Sequence, residues 1–160
     1  MAQAAPRRRR DALSKRRLRL WLRMLRTTKR VEGDLRDVMR TDHATTLPRF
    51  DVLATLDRED KGLKMSELSR RLLVSNGNVT GIVERLVHDG LVVRVPIDDD
   101  KRAMRVRLTA KGREVFAEMA AGHEAVIDSL FSDLDHETLD ALADGFGRLK
   151  DLRRIDDGTR

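Results

Sequence analysis

Apolar residues recur at steps of three and four over most of this chain and switch to alternation in one place. The first stripe is Leu18, Trp21, Leu25, Leu35 and Met39, widened by Leu20, Met24, Val31 and Val38, and predicts a long helix over Leu13–Met39. Thr41–Thr46 is a polar break. Pro48 then suits the first turn of a second helix carrying Phe50, Val52, Leu53 and Leu56. After a turn at Gly62, Leu63–Met65 predicts a very short strand. Ser66 is the expected N-cap of a short helix with Leu68, Leu72 and Leu73 on one face and Glu67 in its first turn. Ser75 is the expected cap of the next helix, whose stripe is Val79, Ile82, Val83, Leu86 and Val87 and whose end is Gly90. Alternation begins there. Leu91–Ile97 and Met104, Val106 and Leu108 predict two strands joined by a polar turn, Asp98–Arg102, with Arg102 near the tip and Pro96 marking an edge. Helical spacing returns in Val115, Phe116, Met119, Val126, Ile127, Leu130 and Phe131 behind a Thr109 cap. A last stripe, Leu139, Leu142, Phe146, Leu149 and Leu152, follows an Asp135 cap.

Two short helices joined by a tight corner and followed by a basic hairpin make a winged helix-turn-helix. The expected fold is mainly α with a small β wing, with N- and C-terminal dimerisation helices around the winged helix. The near-heptad seam of the last helix suits helix–helix association. Three long apolar stripes exceed what a small winged helix covers, so a homodimer with interleaved terminal helices is expected; packing within one chain is the alternative. The expected segments are 1–12 as a disordered basic tail, 13–47 as the first dimerisation helix and linker, 48–109 as the winged helix, and 110–155 as the C-terminal dimerisation helices.

Charge sharpens this picture. Residues 1–40 hold 14 of the 33 Lys and Arg but only 4 of the 27 Asp and Glu, leaving 19 basic against 23 acidic residues in the rest. The basic excess is therefore N-terminal, and Arg7–Arg10 reads either as a solvated tail or as an arm for phosphates or an anionic ligand. A membrane-surface role for the first helix is disfavoured, because the winged helix already needs a dimerisation scaffold. There is no cysteine, which removes disulfides and thiol sensing. No run has the apolar length of a membrane span, and a cytoplasmic protein with no membrane partner is expected. His43, His88, His123 and His136 form no close ligand pair with one another, so no metal is expected. No phosphate loop, dinucleotide fingerprint or nucleophile elbow appears, so neither an enzyme nor a resident cofactor is expected.

Gly77, Gly81, Glu84, Arg85 and His88 lie opposite the stripe of the helix after Ser75, flanked by Asn78 and Thr80. Two helix-interior glycines on that face read as close approach of the backbone to a DNA major groove, or as a tolerant solvent face. The segments SELSRRLLVS, NVTGIVERLVHDGLVVR and DDKRAMRVRLTAKG resemble the MarR family of bacterial transcriptional regulators. The likeness extends more weakly over Leu13–Leu152 and is most specific at Asp100, Arg102, Val106, Leu108, Thr109 and Gly112. It implies a dimer on double-stranded DNA, with Arg102 in the minor groove and Asp100 orienting it. Gly81 departs from the basic or polar residue common after the recognition-helix threonine. Asn76, Asn78 and Thr80 are the candidates for base or phosphate contact, Ser75 and Arg85 for phosphate, and Arg70 and Arg71 add charge beside the backbone. The expected function is a ligand-released repressor on a palindromic operator. The alternative is a winged-helix nucleic-acid-binding or architectural module without regulatory specificity.

The resemblance also implies an effector pocket between the dimerisation helices and the winged helix, drawing on Trp21, Met24, Met39, His43, Leu47, Arg49, Phe50 and Val52. An apolar lining with a few cationic or hydrogen-bonding groups suits an aromatic acid. Outside it stand Arg16, Arg17, Arg19, Arg23, Arg26, Lys29 and Arg30, with Arg16, Arg19 and Arg23 the candidate phosphate clamp. The segment TTLPRFDVLATL resembles the branch controlling aromatic-acid catabolism through aroyl- or hydroxycinnamoyl-CoA thioesters. Arginine forks match the phosphates of such a thioester; a free aromatic acid or phenolic compound is the other effector class.

Overall fold

The computed structural model describes the backbone of residues 5–97 and 100–149, and the side chains of residues 12–97 and 104–149. Helix α1 runs from Ala5 to Thr41. Its expected start at Leu13 is corrected: the stretch Ala5–Ala12, assigned to a disordered tail, is helical. Apolar periodicity is absent there, but alanine and arginine are strong helix formers and proline is tolerated in a first turn. The stripe of α1 is buried only near its end, at Leu35 and Met39, while Leu18, Leu20 and Trp21 stand more than half exposed.

Helix α2, Leu47–Asp57, begins with Pro48 in its first turn and buries Phe50, Val52, Leu53 and Leu56. Strand β1 is Leu63–Lys64, and helix α3 is Met65–Leu72. The N-cap expected at Ser66 falls at Lys64 instead, because the Glu67 carboxylate accepts the Lys64 N–H at 2.8 Å and starts the helix two residues earlier. Leu68 is fully buried. Leu73 is not on that face: it ends α3 in the left-handed region, at φ 56°, with 91% of its surface exposed. Helix α4, Asn76–His88, buries Val79, Val83 and Leu86 completely while packing on α2, α3 and strand β2, Val92–Ile97. Gly90, at φ 73°, turns the chain out of α4 as expected.

The sheet is antiparallel in the order β1-β3-β2, where β3 is Asp100–Leu108. Leu63 faces Val106 and Val92 faces Leu108, and all four are buried; β2 packs on α4, while β3 packs on α2 and α3 and β1 on α3. Pro96 lies on the edge strand, where its missing N–H costs no ladder bond. The expected five-residue turn is shorter. Ile97 faces Asp100 while Pro96 faces Met104, so residues 101–103 have no counterpart across the ladder. The Arg102 backbone thus lies in an irregularity of β3 and not at the tip.

Helix α5, Ala110–Phe131, is fastened where the wing ends. The Thr109 hydroxyl donates to the Gly90 carbonyl at 2.7 Å and accepts the Gly112 N–H at 2.9 Å. A Cβ at Gly112 would lie 2.0 Å from the Leu91 carbonyl oxygen, so only glycine fits this contact. This is the physical content of the T-x-x-G pattern.

Residues up to Val126 form one compact unit and those from Ile127 a second. In the second, Asp135 accepts the Thr138 N–H at 2.9 Å and caps helix α6, His136–Leu149. Those hydrogen bonds from Thr138 hold the Asp135 carboxyl below its ordinary value. Leu139, Leu142 and Phe146 of α6 are exposed, and Leu152 lies outside the described residues. Among the described residues no helix is long and apolar enough to cross a membrane, and no group of three metal-ligating side chains forms.

Candidate nucleic-acid interface

The two sides of α4 differ in kind. Inward, Val79, Val83 and Leu86 have no exposure at all. Outward, Asn76, Gly77, Asn78, Gly81, Glu84, Arg85 and His88 are all exposed, and a Cβ built on Gly77 or Gly81 meets nothing within 4 Å. The helix is anchored by one face and presents the other bare.

The candidate contacts on this helix have unequal freedom. Asn76, Asn78 and Arg85 are exposed and form no side-chain hydrogen bond among the described residues. Thr80 is half-buried and donates to the Asn76 carbonyl at 2.8 Å, which leaves its oxygen as an acceptor only. Ser75 caps the helix with a long 3.4 Å bond from the Asn78 N–H, so its hydroxyl proton remains available. The Glu84 carboxylate lies 4.0 Å from the Arg94 guanidinium, tying α4 to the wing. Neither residue was a sequence candidate, since nothing local pairs two residues across a helix and a strand. Asp100 and Arg102 belong to β3 by their backbone; their side chains lie outside the described residues. Arg71 pairs with Glu59, and Arg70 stands exposed beside it.

The C-terminal end of α4 is tied to α2. Arg49 donates to Asp89 at 2.5 Å, and Lys111 donates to the Asp89 carbonyl at 3.0 Å. The Arg49 hydrogen bond, helped by His88, holds the Asp89 carboxyl below its ordinary value. The recognition end of the molecule and the start of α2 therefore share one ion pair.

The candidate effector residues separate into two groups. Phe50 stacks on His123 with ring centroids 4.7 Å apart and meets Phe116 at 5.7 Å. The His43 ring lies against Gly122 on the same helix, and Met39 is fully buried. Arg49 points to Asp89. Arg16, Arg19, Trp21, Arg23 and Met24 are elsewhere: Trp21 and Met39 are 18 residues apart on one helix, about 27 Å at 1.5 Å per residue. The cluster also includes residues outside the sequence candidates. Partial desolvation, opposed by nearby His123 and reinforced by Glu32, raises the Asp51 carboxyl above its ordinary value, although the residue as a whole stands exposed. His123 was legible, because Phe116, Met119 and His123 follow the three-and-four step of α5.

The MarR family model matches residues 45–103, which span α2, the helix-turn-helix and the wing up to residue 103. A MarR family transcriptional regulator from Silicibacter pomeroyi superposes with a TM-score of 0.72 at 33% identity, over 88% of this chain and 97% of that one. This chain belongs to the MarR family. Its members are transcriptional regulators that bind DNA, not enzymes. The transcriptional activatory protein BadR of Rhodopseudomonas palustris is 33% identical over 122 residues, 71% of this chain and 67% of BadR. The transcriptional repressor YetL of Bacillus subtilis is 29% identical over 63% of this chain and 61% of YetL. The chain thus spans about two thirds of each of these relatives. A MarR mutant from E. coli, complexed with operator DNA, has the same fold at a TM-score of 0.70 and 22% identity.

Proposed function

We propose that this MarR family regulator works as a homodimer on a palindromic operator and represses genes of aromatic-acid catabolism until a small aromatic ligand releases it. The observation that carries the DNA reading is the bare outward face of α4 opposite a fully buried inner face. Two such helices would enter successive major grooves about one helical turn apart. Asn76 and Asn78 reach base edges or phosphates, Thr80 accepts from a base amino group, Ser75 and Arg85 hold phosphates, and Arg102, oriented by Asp100, enters the minor groove. The complex of the E. coli protein with operator DNA supports this docking by fold alone. The exposed stripes of α1 and α6 support the dimer, because a second copy is what such surfaces require.

The proposed effector is an aroyl- or hydroxycinnamoyl-CoA thioester, with the free aromatic acid as the competing ligand. The Phe50, Phe116 and His123 rings supply a surface for an aromatic ring. Arg16, Arg19 and Arg23, further along α1, would supply the phosphate clamp. Footprinting on genomic DNA would identify the operator, where Arg102→Ala should weaken binding by about 1–3 kcal/mol. Calorimetric titration with the thioester, the free acid and coenzyme A alone then separates the ligands. Equal affinity for acid and thioester, unchanged by charge reversal at Arg16, Arg19 and Arg23, would remove the phosphate clamp.

A further inference from the structure

A cleft of about 450 Å³ opens beside β1, where the loop after α2, helix α3 and strand β3 meet. It shares no residue with the outward face of α4 or with the Phe50–His123 cluster. Its charged lining is Glu59, Lys61, Glu67, Arg70, Arg71 and Arg105, four cations against two carboxylates. Both carboxylates are engaged: Glu59 accepts from Arg71, and Glu67 accepts the Lys64 N–H. Among the described residues, no carboxylate lies within salt-bridge distance of Lys61, Arg70 or Arg105.

Arg105 is the unusual member. It sits in the central strand, facing Lys64 of β1 and Val95 of β2, so its backbone is held on both sides. Its side chain is half-buried, and its Nε is fully buried without an acceptor. A buried N–H with no partner is costly, and native proteins keep few of them.

We propose that this cleft is an anion subsite that takes a phosphate group, with Arg105, Arg70 and Lys61 as its lining cations. A guanidinium matches phosphate oxygens in geometry, and the surplus of two positive charges matches a dianion. The cleft has room for more than a bare phosphate, so the ligand is a phosphorylated small molecule. Arg70 and Arg71 lie in the last turn of α3, which leads through Leu73 into α4, so an occupied cleft braces the corner that sets the recognition helix. The site is independent of the effector reading above.

Thermal unfolding and calorimetry of the full chain, in phosphate or pyrophosphate against sodium chloride of equal ionic strength, test it. The wild type should gain in Tm with either anion, beyond chloride. Arg105→Met, which fills the space as far as Nε and removes the guanidinium charge, should bind phosphate at least tenfold more weakly while unfolding in chloride no earlier than the wild type. Should that variant not fold, Arg70→Gln, at an exposed position, should show a loss of about the same size. A wild type that gains nothing over chloride overturns the proposal, as does a folded Arg105→Met variant with wild-type phosphate affinity. The salt dependence of binding to random duplex separates two sources of the phosphate. A log–log slope flatter by about one unit in Arg105→Met assigns the cleft to the DNA backbone and overturns a small-molecule ligand, and an unchanged slope supports one.

Discussion

Helix α4 and the first half of α1 both carry apolar stripes, and the chain treats them in opposite ways. In α4 the centre of the stripe is sealed, with Val79, Val83 and Leu86 at 0% exposure and only Val87 exposed at its rim, and the polar face is left bare. In α1 it is the apolar face that is bare: Leu18, Leu20 and Trp21 are each more than half exposed. Periodicity states which face of a helix is apolar; it does not state which body covers that face. For α4 the cover is α2, α3 and β2 of the same chain. For α1, and for the equally open Leu139, Leu142 and Phe146 of α6, the cover proposed here is a second copy.

The largest expected effect falls on the open side of this comparison. Leu142→Asp with Phe146→Asp should convert a particle of twice the 18.3 kDa chain mass into one of 18.3 kDa in light scattering. Operator affinity should fall by about 10²-fold or more, because each winged helix then binds alone. A variant that stays dimeric would show that α6 is not part of the seam. Leu86→Ala tests the sealed side. It should destabilise the fold by about 2–5 kcal/mol in denaturant titration, since a fully buried leucine leaves a cavity. The same truncation at exposed Leu18 should cost far less at concentrations where the chain is a monomer, and equal costs would erase the distinction.

Smaller effects refine the corner between α3 and α4. Leu73 adopts a left-handed conformation while burying almost nothing. Leu73→Gly should therefore stabilise the protein by about 1 kcal/mol, the strain of an L-residue in that region less the added freedom of glycine. A loss of stability would mean that the exposed leucine has a partner. The smallest effect concerns Asp51. Its raised value means that the folded chain holds this proton more tightly than the unfolded chain does. That contribution is fully present below the ordinary value of 3.8 and is lost as pH rises through the raised one. Asp51→Asn should accordingly raise Tm at neutral pH, with the gain shrinking as pH falls towards 4. A gain that does not vary with pH would remove burial of the charge as its cause.

The parts legible in the sequence were those whose signal is local. The stripes of α2, α4 and α5, the caps at Ser75, Thr109 and Asp135, the turn at Gly90 and the short strand at Leu63 each follow from neighbours within four residues, and the structure forms each of them, though Met65 belongs to α3 and not to the strand and Val87 is exposed. The start of α1 was missed because Ala5–Ala12 is held by propensity alone, without an apolar face to announce it. Ser66 was misread as a cap because serine is a good one in general, while the bond that starts α3 comes from Glu67 to the Lys64 backbone. Leu73 gave no warning, since leucine rarely takes a left-handed conformation. At the candidate sites, the outward face of α4 was legible from its wheel. Arg49–Asp89, 40 residues apart, and Phe50–His123, 73 apart, arise only when α2 meets α4 and α5.

The central claim is that two sealed winged helices, held by the open helices, read one DNA site. The direct measurement is a titration of the footprinted operator duplex against random duplex of equal length at physiological salt, with stoichiometry read from light scattering of the complex. The account predicts two chains per operator and a preference of about 10³-fold or more over random sequence. One chain per duplex, or equal affinity for both duplexes, would contradict it.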